Sequence, residues 1–191
     1  MPHCGQPANR LAKRAMKKFL ILTALTLASC GAEQASEPAA EATEQTALLR
    51  DFVGKDMPDV TVTDPDGAQT TLVEIAGGEP ILVNLWASWC APCVKELPTL
   101  VALSERGDVR VLALSQDIGP QPSVRAFLEG HGVGSLGAWQ DADMAMTDAL
   151  PVTIMPTTVL YDAQGKEVWR YVGDLDWAGD EAAALIAELD G

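Results

Sequence analysis

From Val60 onward the apolar and polar positions follow two alternating periods. Val60-Thr-Val-Thr, the turn Asp64-Pro-Asp-Gly67 and Gln69-Thr-Thr-Leu72 read as a hairpin about a turn centre. Residues 81–86 are an apolar run interrupted only by Asn84, as in a strand covered on both faces. Val94, Leu97, Leu100 and Val101 then recur at helical spacing, and Pro98 within that pattern predicts a kink. Residues 109–114 give a second buried-type strand. Residues 122–130 suit a helix with Val124, Phe127 and Leu128 on one face and Gly130 as its stop. A short helix is expected over 143–150. A second hairpin is expected over 157–161 and 168–172, about the turn Asp162-Ala-Gln-Gly165. A final amphipathic helix over 176–189 would bury Trp177, Leu185, Ile186 and Leu189. Strands interleaved with helices, ending in a hairpin and a helix, predict an α/β sandwich around a central sheet.

The N-terminal part carries none of this patterning. Lys13, Arg14, Lys17 and Lys18 form a cationic stretch, and residues 19–27 an apolar run too short to span a bilayer as a helix. The run ends in Leu27-Ala28-Ser29-Cys30, which resembles the lipobox of bacterial lipoproteins, cut just before its cysteine. A plain secretory signal or an uncleaved anchor are the alternatives. Met16-Lys-Lys-Phe has the look of a natural start, which would make residues 1–15, with His3 and Cys4, an upstream extension. The expected organisation is a signal peptide over 1–29, a lipid-anchored flexible linker over 30–50 with Cys30 lipidated, and one domain over 51–191. The linker assignment rests on an Ala/Glu/Gln/Ser/Thr composition without aromatic residues, although its Ala and Glu allow a short helix.

Charge narrows the partners. The whole chain has a net charge of −14, and loss of residues 1–29 removes five basic residues and no acid, giving −19. Such a surface repels nucleic acid and anionic headgroups. Solubility explains most of it, and a basic partner protein is compatible with it.

The candidate chemistry sits where the first buried strand meets the first long helix, in Trp86-Ala-Ser-Trp-Cys-Ala-Pro-Cys93. Of four cysteines, Cys4 and Cys30 fall in the leader and lipobox, leaving Cys90 and Cys93 as the free thiols. That is too few for a disulfide-stapled scaffold, and too few for a four-thiolate zinc site unless two chains pair. The alternatives for this pair are a structural disulfide or a metal-binding pair. At a helix N-terminus the unpaired N–H groups and the dipole favour a thiolate, so Cys90 reads as the attacking nucleophile. Pro92 in the first turn costs no hydrogen bond. Cys93, one turn in, reads as the resolving thiol. His131, between Gly130 and Gly132, reads as a loop residue and not a ligand. No metal or cofactor is expected.

The stretch from Asn84 to Pro98 resembles the active-site segment of the thioredoxin superfamily, and is most similar to its membrane-tethered TlpA/ResA/DsbE branch. Met155-Pro156-Thr157-Thr158 resembles that family's cis-proline loop, and Asp162-Ala-Gln-Gly165 with Tyr171-Val-Gly173 its closing hairpin. The resemblance implies a thioredoxin-like sandwich: a central mixed sheet flanked by helices, with an N-terminal β-hairpin. It implies a catalytic set of Cys90, Cys93, Glu96 and Pro156. Pro156 would be the cis-proline against the dithiol, beside which backbone pairs with substrate. Trp86 and Trp89 would form an apolar apron for a partner, with Met155 and Thr157 also on the substrate side; Trp139, Trp169 and Trp177 read as packing. Glu96 matches the acid in the ResA-like pattern Cys-x-x-Cys-x-x-Glu. One turn after Cys93, it would shuttle a proton if buried and would be an ordinary solvated side chain if not. Asn84 stands where thioredoxin has a buried Asp, so that position cannot be the base. Ile154 departs from the small residue often found before the cis-proline pair.

The implied activity is thiol–disulfide exchange on the periplasmic side of the cell envelope. The implied partners are disulfide-bearing proteins such as apocytochrome c or a copper chaperone, and a transmembrane electron donor of the CcdA/DsbD type. Ala91-Pro92 supplies no charge to stabilise a thiolate, which leans towards reduction. Two other activities are the alternatives. A thioredoxin-fold copper chaperone would carry Cys-x-x-x-Cys and a His, and a peroxiredoxin-like antioxidant would carry Pro-x-x-x-Thr-x-x-Cys; neither pattern is present.

Overall fold

The structure, a computed structural model, describes residues 47–190. The expected signal peptide, Cys30 and the linker up to residue 46 lie outside the described residues. The strands are β1 (Ala47–Leu49), β2 (Thr61–Thr63), β3 (Gln69–Thr71), β4 (Ile81–Trp86), β5 (Arg110–Ser115), β6 (Thr157–Tyr161) and β7 (Glu167–Val172). The helices are α1 (Leu72–Ala76), α2 (Ala91–Arg106), α3 (Gln121–Gly130), α4 (Ala145–Ala149) and α5 (Asp180–Ile186).

Five strands form one mixed sheet in the order β1-β7-β6-β4-β5, while β2 and β3 form a separate hairpin. Strands β4 and β5 are parallel; β4–β6, β6–β7 and β1–β7 are antiparallel. All six residues of β4 are buried, because both faces of this central strand are covered. Leu82 and Trp86 join a core with Leu97, Leu100 and Leu103 of α2, Val124 and Leu128 of α3, and Leu185 and Ile186 of α5. Ile81, Val83 and Leu85 join the opposite core with Leu72 and Ile75 of α1, Met146 of α4 and Met57. Each fully buried leucine contributes roughly 2 kcal/mol of transfer free energy. The alternation also puts Asn84 on the α2 face, where the chemistry is.

Three elements depart from the expected pattern. First, residues 47–49 fall in the segment expected as linker, yet form β1, with Ala47 opposite Val172 and Leu49 opposite Arg170. Arg50 follows with a bidentate ion pair to Glu188 at 2.7 and 2.8 Å. Second, α1 follows the hairpin directly. Thr71 accepts from Glu74 N while the Glu74 carboxylate accepts from Thr71 N, a capping box that starts a helix where the pattern suggested strand. Third, the last helix begins at Asp180, not Asp176, and passes into a 3₁₀ turn over Ala187–Asp190. Trp177 is fully buried, but from the turn before the helix. Helix α2 runs through Pro98 and ends at Gly107, whose φ of 74° is the left-handed conformation that glycine adopts without strain.

Candidate active site

The dithiol turn is built by the end of β4 and the start of α2. Cys90 is the N-cap of α2, with extended backbone (φ −93°, ψ 100°), and its N–H donates to Ala87 O at 3.1 Å. The two cysteines form a disulfide, with Cα atoms 5.3 Å apart. Cys93 N donates to Cys90 Sγ at 3.4 Å, a contact that favours negative charge on that sulfur. Cys90 is 6% exposed and Cys93 is completely buried. Attack from outside can therefore reach only Cys90.

One helical turn along α2 from Cys93 is a buried polar cluster. Glu96, one turn after Cys93, is 2% exposed. Its Oε1 accepts from Asn84 Nδ2 at 2.6 Å; its Oε2 accepts from Trp177 Nε1 at 3.0 Å and Leu175 N at 3.2 Å. Burial raises its pKa to about 7, against the opposing effect of those three donors, while nearby Asp174 adds to the rise. A carboxyl group at that value exchanges protons readily near neutrality. Asn84 is held in turn, since its Nδ2 also donates to Thr158 Oγ at 2.9 Å and the two residues are register partners across β4 and β6.

On the other side of Cys90 lies an open groove of about 490 Å³. Trp89, Cys90, Met144, Thr147, Ile154 and Met155 line it. Met155–Pro156 is a cis peptide bond, and Pro156 O accepts from Gly173 N at 2.9 Å, tying the loop to the end of β7. The loop is braced from behind as well. Arg170 pairs with Glu167 at 3.0 Å, donates to Leu150 O at 2.5 Å and lies 4.2 Å from the Phe52 ring centroid.

Two expected contact residues take other places. Trp86 is fully buried, its ring 5.8 Å from that of Phe127, so it supports the site from within and forms no apron. Both faces of β4 are covered, and alternation puts Trp86 on the α2 face with Leu82 and Asn84. Thr157 is also buried, and its hydroxyl donates to Ile154 O at 2.7 Å, so it shapes the loop instead of facing a partner. Trp89, 68% exposed, and Met155 do face the groove.

Sequence reasoning missed Trp177, Thr158 and Arg170. Trp177 reads as packing from the sequence, yet its indole is a hydrogen-bond donor to Glu96. Its position 81 residues further along carries no local signal. Among the described residues, no cluster of three or more His, Cys, Asp or Glu is placed to hold a metal ion.

The chain is similar to known proteins over most of its described length. The Redoxin family profile matches residues 52–186. The thiol:disulfide interchange protein DsbE homolog of Paracoccus denitrificans is 33% identical over 138 residues, covering 68% of this chain and 75% of that protein. The thiol-disulfide oxidoreductase ResA of Bacillus thuringiensis is 30% identical over 126 residues, covering 64% and 70% respectively. A Chlorobium tepidum protein assigned as thiol:disulfide interchange protein DsbE superposes with a TM-score of 0.63 at 22% identity, covering 73% of this chain and 98% of that one. It shares the fold.

Proposed function

We propose a reductive role in the cell envelope for this chain, which belongs to the Redoxin family and is a thiol–disulfide oxidoreductase. The observation that carries the mechanism is the placement of one cysteine on a groove and the other, fully buried, one helical turn before a buried carboxyl group with a pKa of about 7.

In the reduced protein the Cys90 thiolate attacks one sulfur of a partner disulfide in the groove. A bond forms between Cys90 Sγ and that sulfur, the partner's S–S bond breaks, and the departing thiolate takes a proton from water. Cys93 then gives its proton to the Glu96 carboxylate and attacks Cys90 Sγ. The mixed disulfide breaks, the second partner sulfur leaves as a thiolate and takes a proton from water, and Glu96 releases its proton to solvent. The partner has gained two electrons from the dithiol and two protons from water, and Cys90 and Cys93 are joined as in the structure. Asn84, Trp177 and the Leu175 amide favour ionised Glu96, while burial opposes it, and the balance keeps both forms available.

The dipeptide Ala91-Pro92 provides no cationic group to stabilise the reduced state, which supports reduction of partners over oxidation. Lipidation of Cys30 would hold the domain at the periplasmic side of a membrane. No helix among the described residues is long and apolar enough to cross one. Electrons would come from a CcdA/DsbD-type membrane donor, and apocytochrome c or a copper chaperone are the substrates the resemblance suggests. The test is the dithiol's reduction potential together with trapping in cells. The reading expects a potential below about −200 mV and a mixed disulfide accumulating in Cys93→Ser. A potential near −120 mV, the strongly oxidising end of the range, overturns the reductive direction. Absence of any trapped partner overturns the proposed exchange with proteins.

A further inference from the structure

The turn that delivers Cys90 is held by a residue from another strand's end. Asp117 lies two residues beyond β5. Its carboxylate accepts from Ser88 N at 3.0 Å (Oδ2) and 3.3 Å (Oδ1), and from Ser88 Oγ at 2.9 Å. Ser88 is two residues before Cys90, in the turn closed by the Cys90 N–H to Ala87 O bond. The carboxylate is itself fixed. Ser115 Oγ donates to Oδ2 at 2.8 Å, and Asp117 N donates back to Ser115 Oγ at 3.2 Å.

The bracing continues to the N-terminal hairpin. The buried side chain of Gln140 donates to Asp117 O at 2.6 Å and to Gly119 O at 2.7 Å. The backbone of Gln140 exchanges two hydrogen bonds with Thr63 of β2, at 2.8 and 3.0 Å. A continuous chain of hydrogen bonds thus runs from the hairpin through Gln140, Asp117 and Ser88 to the turn carrying the attacking sulfur.

Thioredoxin-type exchange is an in-line displacement, so it depends on the direction in which Cys90 Sγ faces the groove. We propose that Asp117 is a positioning residue for this reaction: it clamps Ser88 and so fixes the angle at which Cys90 meets a disulfide in the groove. The inference rests on the oxidoreductase reading above and adds a residue to it. Charge alone predicts an effect of opposite sign. Removing an anion near Cys90 increases its thiolate fraction and, at pH values where the thiol is mostly protonated, speeds every reaction of that sulfur. Loss of positioning slows only reactions that need orientation.

Two reactions of the reduced full-length protein separate these effects. One is exchange with a synthetic disulfide peptide, followed by stopped flow. The other is alkylation of Cys90 by iodoacetamide, which needs no groove and is assigned by peptide mass. In Asp117→Ala, exchange should fall about tenfold while alkylation changes less than about threefold. In Ser88→Ala, which keeps the backbone bond, exchange should fall about threefold. The double variant should be no slower than Asp117→Ala, because both act through one contact. Wild-type exchange in folded Asp117→Ala overturns the proposal, as does equal slowing of both reactions. If Asp117→Ala does not fold, Ser88→Ala decides, and a wild-type exchange rate there overturns it. An active wild type with indifferent variants rejects the clamp alone. A wild type inert towards the peptide rejects the underlying oxidoreductase reading, and the clamp with it.

Discussion

The two sides of one disulfide differ sharply in burial and in lining. On the Cys93 side everything is closed. Glu96, Asn84, Thr158 and Trp177 are buried, and they come from α2, two strands and the turn before α5. On the Cys90 side there is an open groove, lined by apolar and uncharged residues with Trp89 standing out from the surface. Three positions of sequence separate a buried polar cluster around a carboxyl group from an open groove with an uncharged lining. Polar substitutions on the closed side should alter rates and pH dependence; changes of size on the open side should alter binding.

Cys90→Ser should abolish exchange with any disulfide substrate, whereas Cys93→Ser should make the mixed disulfide and stop there, as non-reducing gels would show. Equal loss of the first step in both would erase the distinction between the two sides. Next in size is Glu96→Gln. In the wild type, Glu96 loses its proton as pH rises through about 7, so the resolving step should accelerate there. The amide should slow that step by about 10²-fold and remove the inflection. An unchanged rate–pH profile would put the proton acceptor elsewhere.

The same residue governs stability. The folded pKa of Glu96, about 7, lies above the ordinary value of 4.5, so the folded protein holds this proton more tightly than the unfolded chain. Its contribution is complete below about 4.5 and is lost as pH rises through 7, a difference of about 3 kcal/mol. Urea denaturation should show the wild type losing stability across this window and Glu96→Gln losing much less. On the open side, Trp89→Ala should raise KM for a peptide substrate about fivefold, with the pH profile unmoved. A shift in the inflection would mean that the two sides communicate.

Much of this contrast could be read in advance from particular residues. The apolar run of β4 and the helical spacing of α2 fixed the strand-to-helix junction, and the cysteine spacing located the dithiol on it. Glu96 was visible as the residue one turn beyond Cys93. Its partners were not, because Trp177 and Leu175 reach it through tertiary folding and Thr158 through sheet register. Trp86 is expected at the partner surface from its nearness to the dithiol, although it ends a run that itself reads as a strand covered on both faces. β1 was hidden because Ala47-Leu-Leu has no period of its own; its strand form comes from the free edge of β7. α1 did carry a signal, Thr71-x-x-Glu74, that was overlooked within a hairpin.

The hydrogen bond from Trp177 Nε1 to Glu96 Oε2 couples an indole to a carboxyl group that titrates near neutrality. Indole emission responds to charge at the ring nitrogen. The protein therefore carries its own optical gauge of the proton held under its dithiol. Trp177 fluorescence, isolated by difference against Trp177→Phe, should follow that proton without any added label.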